Sequence, residues 1–172
     1  MTVSREDEFE VLYRSMVPDV RRYVTAHVGR SGDVDDVVNA TFTSVWQRFS
    51  DLPPESQRAW VLGVARNQCR NERRSTRRFG ALVTEIVAAR PRIESRMADQ
   101  NIGIETIDAI SRLLPRLSND DRELLVLLGW LELSSKDAAA VVGISESAMR
   151  VRVHRLRVLL RAELDQAEGQ AS

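Results

Sequence analysis

Apolar residues recur at intervals of three and four along nearly the whole chain, and no stretch alternates apolar with polar residues. The first spacing is typical of amphipathic helices, whereas alternation is typical of strands. Proline and glycine occur singly, where helices would end. The pattern predicts an all-α fold, and 172 residues allow one large or two small helical domains.

Three helices are predicted in the first half of the chain. The first spans about residues 5–28, where Pro18 should kink or divide it. The second begins at Asp33, a good N-cap residue, and ends in a loop at residues 50–54. The third spans about residues 55–78. Aromatic-rich faces on these helices can form a compact N-terminal domain, predicted at residues 1–79.

A second helical domain is predicted at residues 103–172, after a linker at residues 80–102 that could include a short helix at 81–89. Helix starts are predicted at Ser118 and Ser134, each followed three residues later by an aspartate. Between them, residues 124–131 are apolar on all sides and should be well buried. An apolar stripe at residues 107–117 precedes them.

The residue inventory argues against an enzyme. Cys69 is the single cysteine, and the two histidines, His27 and His154, lie far apart in sequence. No glycine-rich phosphate loop, metal-ligand cluster or Ser–His–Asp set is present in the sequence. We therefore expect no catalytic residues, no metal and no cofactor.

The N-terminus is acidic and lacks the layout of a signal peptide, and no run of about 18 apolar residues occurs. A cytoplasmic protein without membrane insertion is expected.

Charge is unevenly distributed although the net charge is zero. Residues 66–78 hold six arginines against one glutamate, and residues 150–161 hold five arginines and no acid. Such basic segments are the electrostatic footprint of polyanion binding.

A helix-turn-helix is predicted at residues 134–160. Ala139 is small enough for two helices to pack closely, Gly143 supplies the turn, and Met149 anchors the second helix to the first. Ser145 should cap that second helix. Its apolar face comprises Met149, Val153, Leu156 and Leu160. The opposite face carries the candidate DNA-binding residues Ser147, Arg150, His154, Arg155 and Arg157, which suits a recognition helix in a major groove. The competing interpretation is an arginine-rich solvated helix.

The other basic segment lies on the third predicted helix. Its candidate DNA-binding residues are Arg66, Asn67, Arg70, Asn71, Arg74 and Arg77. Clustered arginines repel one another unless an anion neutralises them, and amides can read base edges. Taken alone, this segment fits a solvated charged face as well as a DNA-binding one.

The second predicted helix is acidic at its start and aromatic along its length. Its notable residues are Asp33, Asp36, Asn39, Phe42 and Trp46. Most of the apolar residues fit a core helix, while the acids and Asn39 are available to a basic protein partner.

Taken together, these segments resemble the extracytoplasmic-function group of bacterial sigma factors. DVDDVVNATFTSVWQRF resembles their polymerase-clamp-binding segment, and AWVLGVARNQCRNERRSTRR resembles their minus-ten-binding helix. The stretch LPRLSNDDRELLVLLGWLELSSKDAAAVVGISESAMRVRVHRLRVLLR resembles their minus-thirty-five-binding domain.

The resemblance implies two helical domains joined by a flexible linker. It implies an alternative sigma factor that binds core RNA polymerase, recognises promoter DNA and promotes strand opening. It also implies control by an anti-sigma factor, and it assigns polymerase binding to Asp33, Asp36, Asn39, Phe42 and Trp46. The main alternative is a helix-turn-helix transcriptional regulator with an N-terminal helical interaction domain. A polymerase-binding inhibitor without DNA contact and an all-helical enzyme are weaker alternatives.

Overall fold

The computed structural model describes residues 4–28, 33–75 and 117–170. These residues form six α-helices: α1 (Arg5–Val28), α2 (Asp33–Gln47), α3 (Gln57–Ser75), α4 (Asn119–Leu124), α5 (Ser135–Val142) and α6 (Glu146–Gln170). Short helical turns occupy Phe49–Asp51, Pro54–Ser56 and Leu125–Trp130. The described ranges contain no strand, so the fold is all-α. The predicted linker, the short helix at residues 81–89 and the stripe at 107–116 lie outside these ranges.

The N-terminal helices form where the apolar spacing predicts them. Pro18 was predicted to kink or divide α1, and the helix continues through this residue undivided. Its buried face includes Val20, Tyr23 and Val24, each fully buried. The predicted loop after α2 is built from two 3-10 turns, and α3 accordingly begins two residues later than the spacing suggested.

α3 is the central helix of the molecule. It packs against α1, α2 and α5, so three of its sides are covered. This explains why the neighbours Val61 and Leu62 are both fully buried, as is Ala65. Cys69, one turn further on, is 2% exposed. Because α5 belongs to the C-terminal segment, one continuous apolar core joins the two halves of the chain.

Local capping sets the helix starts in the C-terminal half. The hydroxyl of Ser118 accepts a hydrogen bond from the backbone N–H of Asp121, and that of Ser134 accepts one from Asp137 N–H. Each cap satisfies a donor that has no partner within its own helix. Both predicted starts are confirmed.

The segment Leu125–Trp130 departs from the sequence expectation. It is a π-helical turn, in which the N–H of Leu131 bonds to the carbonyl of Val126, five residues earlier. The prediction that the apolar residues of 124–131 are well buried is confirmed. The buried residues are Leu124, Val126, Leu127 and Leu131, and the residues partly buried against the core are Leu125, Leu128 and Trp130.

Candidate nucleic-acid interface

Helices α5 and α6 form the predicted helix-turn-helix. α5 ends at Gly143, whose φ of 78° lies in the left-handed region that glycine adopts without strain, and its N–H bonds to the carbonyl of Ala139. Ala139 is 3% exposed and Met149 is fully buried, as expected for the contact between the two helices. The small residue, the turn glycine and the apolar anchor thus have the predicted structural roles.

α6 has two distinct faces. Of the predicted apolar face, Met149, Val153 and Leu156 are buried against the rest of the domain, and Leu160 is half-buried. The predicted DNA-binding residues are all exposed: Ser147, Arg150, His154, Arg155 and Arg157. The apolar anchors therefore hold the helix while its basic face stays accessible.

A serine cap and an exposed ion pair lie at the N-terminal end of α6. Ser145 Oγ accepts a hydrogen bond from Ala148 N–H at 3.2 Å and lies 3.0 Å from Ser147 Oγ. Arg150 contacts Glu146 at 3.4 Å, with 67% of the arginine side chain exposed. An exposed pair of this kind is weak, so the guanidinium can exchange Glu146 for another acceptor at little cost.

The basic face of α3 is only partly accessible. Asn67, Arg70 and Asn71 are exposed. The side chain of Arg74, and Arg77 altogether, lie outside the described residues. Gln68, which falls between the exposed residues, instead donates to Ser44 Oγ on α2 at 2.9 Å. The helix thus presents Asn67 and Asn71 on its outer side and places the intervening amide inside.

Arg66 has a different environment from the rest of this face. Its Nε donates to Glu123 Oε1 at 2.7 Å and its Nη2 donates to Glu123 Oε2 at 3.1 Å. The side chains of Arg66 and Glu123 are only 15% and 10% exposed. Tyr23 from α1 also donates its hydroxyl proton to Glu123 Oε1, at 2.5 Å. The carboxylate of α4 therefore joins α1 and α3.

The electrostatics of this cluster follow from its partners. Burial raises the pKa of Glu123, but hydrogen bonds from Arg66 and Tyr23, together with the guanidinium charge, outweigh it and hold that pKa below its ordinary value. Burial and the neighbouring carboxylate raise the pKa of Tyr23 well above 10.0. Near neutral pH the cluster therefore consists of a carboxylate, a guanidinium and a protonated phenol.

A second polar contact joins the two halves of the chain. Arg58 on α3 donates through Nε to Asp19 Oδ2 at 2.8 Å and through Nη2 to the backbone carbonyl of Leu131 at 2.6 Å. That carbonyl follows the π-helical turn, where helix carbonyls lack internal partners. Sequence reasoning identified neither Arg58 nor Glu123. Their contacts span 73 and 57 residues, and helical periodicity carries no signal at that separation.

In the predicted polymerase-binding set, Asp36 and Asn39 are exposed, whereas the side chain of Asp33 lies outside the described residues. The two aromatic members pack against α1. Phe42 is 5% exposed and lies edge-on against Tyr13, with ring centroids 4.6 Å apart. Trp46 is half-buried, between Phe9 and the guanidinium of Arg5. The helix begins at Asp33, as predicted.

Over the described ranges, no group of three or more His, Cys, Asp or Glu residues is placed to hold a metal ion. Within the same ranges, no helix is both long and apolar enough to cross a membrane.

Two known protein families match segments of this chain. The Sigma-70 region 2 family matches residues 12–79, and the Sigma-70 region 4 family matches residues 107–160. The RNA polymerase sigma factor CnrH of Cupriavidus metallidurans is 32% identical over 145 residues, which cover 77% of this chain and 74% of CnrH. The ECF RNA polymerase sigma factor EcfG of Rhodopseudomonas palustris is 28% identical over 149 residues, covering 86% of this chain and 80% of EcfG.

A solved structure of CnrH in complex with the cytosolic domain of CnrY has a similar fold. It superimposes with a TM-score of 0.65 at 27% identity, covering 95% of this chain and 91% of CnrH.

Proposed function

This chain belongs to the extracytoplasmic-function group of bacterial RNA polymerase sigma factors, and we propose that its α6, α3 and α2 helices divide promoter recognition, strand opening and polymerase binding among them. It is an alternative sigma factor. One observation supports this assignment of three roles. Each of the three helices has its own exposed polar face, and the helices occur along the chain in the same order as the matching family segments.

Upstream promoter recognition is proposed for α6. Arg150 lies near the N-terminal end of the helix, where helix-turn-helix proteins contact base edges. Its guanidinium can donate two hydrogen bonds to guanine O6 and N7. His154 lies one turn further on and faces the same side, while Arg155 and Arg157 suit backbone phosphates. Ser147 stands beside the cap residue Ser145, at the end that would enter the groove.

Strand opening is proposed for α3. A factor that holds single-stranded DNA needs a cationic surface with groups that recognise unpaired bases. Asn67 and Asn71 are exposed amides one turn apart, and Arg70 is an exposed cation on the same helix. Arg66, Arg74 and Arg77 complete the proposed set. The turn that starts at Phe49 is proposed to receive an extruded base.

Polymerase binding is proposed for α2, through Asp36 and Asn39. Both side chains are exposed and acidic or polar, as contact with a basic partner surface requires. Asp33 stands at the start of the same helix, and Phe42 and Trp46 support it from within.

Several further assignments follow from family membership. We propose that the protein acts in the cytoplasm, uses no cofactor or metal, and catalyses no reaction of its own. An anti-sigma factor is proposed as a further partner; CnrH has a solved complex with the cytosolic domain of CnrY. The proposed domains are residues 1–79 and 103–172, joined by a linker at residues 80–102.

Run-off transcription tests the proposed function directly. Purified core polymerase is given genomic promoter fragments with and without this protein, and transcripts are mapped at their 5′ ends. The expected result is initiation at specific sites only when the protein is present. A protein that binds these fragments alone, yet never makes core polymerase start at specific sites, would instead be a helix-turn-helix regulator.

A further inference from the structure

The side of α6 that faces away from the core carries an exposed valine. Residues of an α-helix are about 100° apart around its axis, so a residue two positions from a buried anchor lies nearly opposite it. Val151 lies two positions after Met149 and two before Val153, and both of these anchors are buried. Val151 itself is 61% exposed. It therefore projects from α6 in the direction that leads out of the domain.

Two polar residues share this outward side with Val151. Ser147 lies about one turn before it and His154 about one turn after it, and both are exposed. Both also belong to the set proposed to bind DNA. We call Ser147, Val151 and His154 the outer ridge of α6. Val151 is the central and the apolar member of the outer ridge.

Arginines flank the outer ridge on both sides. Arg150 and Arg157 lie on one side of it, and Arg152 and Arg155 lie on the other. Three of the four are exposed, and Arg152 is half-buried. The major groove of DNA has a matching layout, because its two walls are phosphate backbones and its floor consists of base edges. The outer ridge is therefore the part of α6 that would face the bases.

An exposed valine at the centre of such a surface matches one chemical feature of DNA. Thymine presents an apolar group in the major groove, its C5 methyl group. The side chain of Val151 ends in two methyl groups and offers neither a hydrogen-bond donor nor an acceptor. In a helix it is almost confined to one χ1 rotamer. It can therefore cover a thymine methyl group with little loss of conformational entropy.

We propose that Val151 is a specificity-determining residue, which recognises a thymine of the upstream promoter element through its C5 methyl group. This inference rests on the proposed function of α6 and adds a base that the arginines do not select. The neighbouring Arg150 selects guanine by hydrogen bonds, whereas Val151 selects thymine by removing two apolar surfaces from water. Burial of one methyl group changes an affinity by about three- to fivefold.

Replacement of thymine by deoxyuridine tests the proposal, because the two bases differ only in this methyl group. The DNA is a promoter fragment at which the full-length protein directs specific initiation in run-off transcription, and the binding species is its complex with core polymerase. Each thymine of the upstream element is replaced in turn, and the affinity is measured by competition against the unmodified fragment. We expect one replacement to weaken binding of the wild-type complex by about three- to fivefold.

Three variants identify the side chain that contacts the methyl group. Val151→Ser removes both valine methyl groups at an exposed position, and serine and valine have similar helix propensities, so α6 is retained. With this variant the sensitive replacement should change the affinity by less than about 1.5-fold. Val151→Ile keeps a β-branched apolar side chain and should show the same loss as wild type.

Val158→Ser is the matched control for the loss of an exposed valine from α6. Val158 is 55% exposed and lies about 10 Å further along the helix axis, away from the N-terminal end that contacts base edges. This variant should show the same loss as wild type on the deoxyuridine fragment. Circular dichroism verifies that each variant keeps its helix content.

If no deoxyuridine replacement weakens binding of the wild-type complex, the proposal is wrong. It is also wrong if Val151→Ser shows the same loss as wild type, because another group then contacts the methyl, or if Val158→Ser abolishes the loss equally. Failure of the proposed function is a separate result, in which no specific run-off transcripts form and this inference fails with it. Specific initiation without any dependence on a thymine methyl group would overturn the role of Val151 alone.

Discussion

Arg58 and Asp19 form an ion pair at 2.7 Å whose guanidinium also reaches the backbone carbonyl of Leu131. The Asp19 side chain is 17% exposed, and its other ion-pair contact, with Arg22, is longer at 3.7 Å. One arginine thus holds together α1, α3 and the end of the π-helical turn.

Arg58→Ala should therefore destabilise the protein. The change leaves Asp19 largely buried without its nearest cation and leaves the Leu131 carbonyl without a donor. Because the arginine is 42% exposed, solvent recovers part of the loss, and we expect a decrease of about 1–2 kcal/mol in the free energy of unfolding. Urea titration followed by circular dichroism measures it. The control Arg14→Ala removes a 78%-exposed arginine from α1 and should cost less than about 0.5 kcal/mol. Equal losses for the two variants would contradict the role of Arg58.

The buried cluster of Glu123, Arg66 and Tyr23 predicts a specific dependence of stability on pH. The pKa of Glu123 is lowered from its ordinary value of 4.5. A carboxylate with a lowered folded-state pKa stabilises the protein above its unfolded-state value, and that contribution is lost as pH falls through the folded-state pKa. Glu123→Gln should lower the free energy of unfolding by about 3 kcal/mol at pH 7. The difference in unfolding free energy between wild type and this variant should become smaller below about pH 4.5.

Chemical denaturation at a series of pH values measures that difference. Glu10→Gln is the control, because it makes the same charge change at an exposed residue whose ion-pair partner is Arg14 on the same helix. Its small effect should not follow the same profile. If the difference in unfolding free energy between wild type and Glu123→Gln stays constant down to about pH 3, the carboxylate of Glu123 is not the stabilising species.

Polymerase binding should depend on the exposed start of α2. Asp36→Arg reverses a charge that faces solvent, so it should weaken association with core polymerase by about tenfold through like-charge repulsion while leaving the fold intact. Glu10→Arg makes the same reversal on α1 and should leave the affinity within about twofold. Binding of labelled core enzyme in solution measures both. Equal affinities for Asp36→Arg and wild type would refute the assignment of α2.

Strand opening should depend on the outer amides of α3. Replacing Asn67 and Asn71 together with alanine should impair open-complex formation more than closed-complex binding, because unpaired bases lose their hydrogen-bonding partners. The control is Gln68→Ala, which removes an amide from the same turn that is committed to Ser44. Permanganate reactivity of promoter thymines reports the opened bubble. Equal reactivity with wild type and with the double variant would contradict this role.

Substitution of Arg150 and substitution of Arg157 on α6 should have different effects on promoter binding. Arg150→Ala should relax the preference at one promoter position by about 1–3 kcal/mol, since a guanidinium that pairs with guanine reads sequence. Arg157→Ala should weaken binding to all promoters alike, since a phosphate contact does not distinguish one base from another. It should also reduce the slope of log affinity against log salt concentration by about one. Binding to a library of upstream-element variants at several salt concentrations separates the two. A loss of affinity without a change in preference for Arg150→Ala would show that the helix is oriented differently.

Local patterns in the sequence were sufficient to predict the helices and the helix-turn-helix. Ser134, Gly143 and Ser145 act through backbone groups within a few residues of themselves, so their roles can be read from spacing alone. The exposed arginines of α6 followed from the apolar face opposite them. These features are properties of single helices, and the structure retains them.

What the sequence did not reveal depends on long-range packing. Arg66 looked like its neighbours on the basic segment, yet its side chain is covered because Glu123 meets it from 57 residues away. The contact between the turn at Leu125–Trp130 and α1 was likewise not predicted. In both cases the outcome depends on how two halves of the chain pack, and no local spacing encodes that.

Cys69 lies on α3, one turn beyond Ala65, and is 2% exposed. Because it is the single cysteine of the chain, a thiol reagent can modify the protein at one position only. A thiol shielded to this degree reacts when the surrounding structure separates, so its alkylation rate measures how often α3 is uncovered. The molecule therefore contains its own kinetic probe of the core, one that needs no label and that reports separately on the free factor and on the factor bound to polymerase.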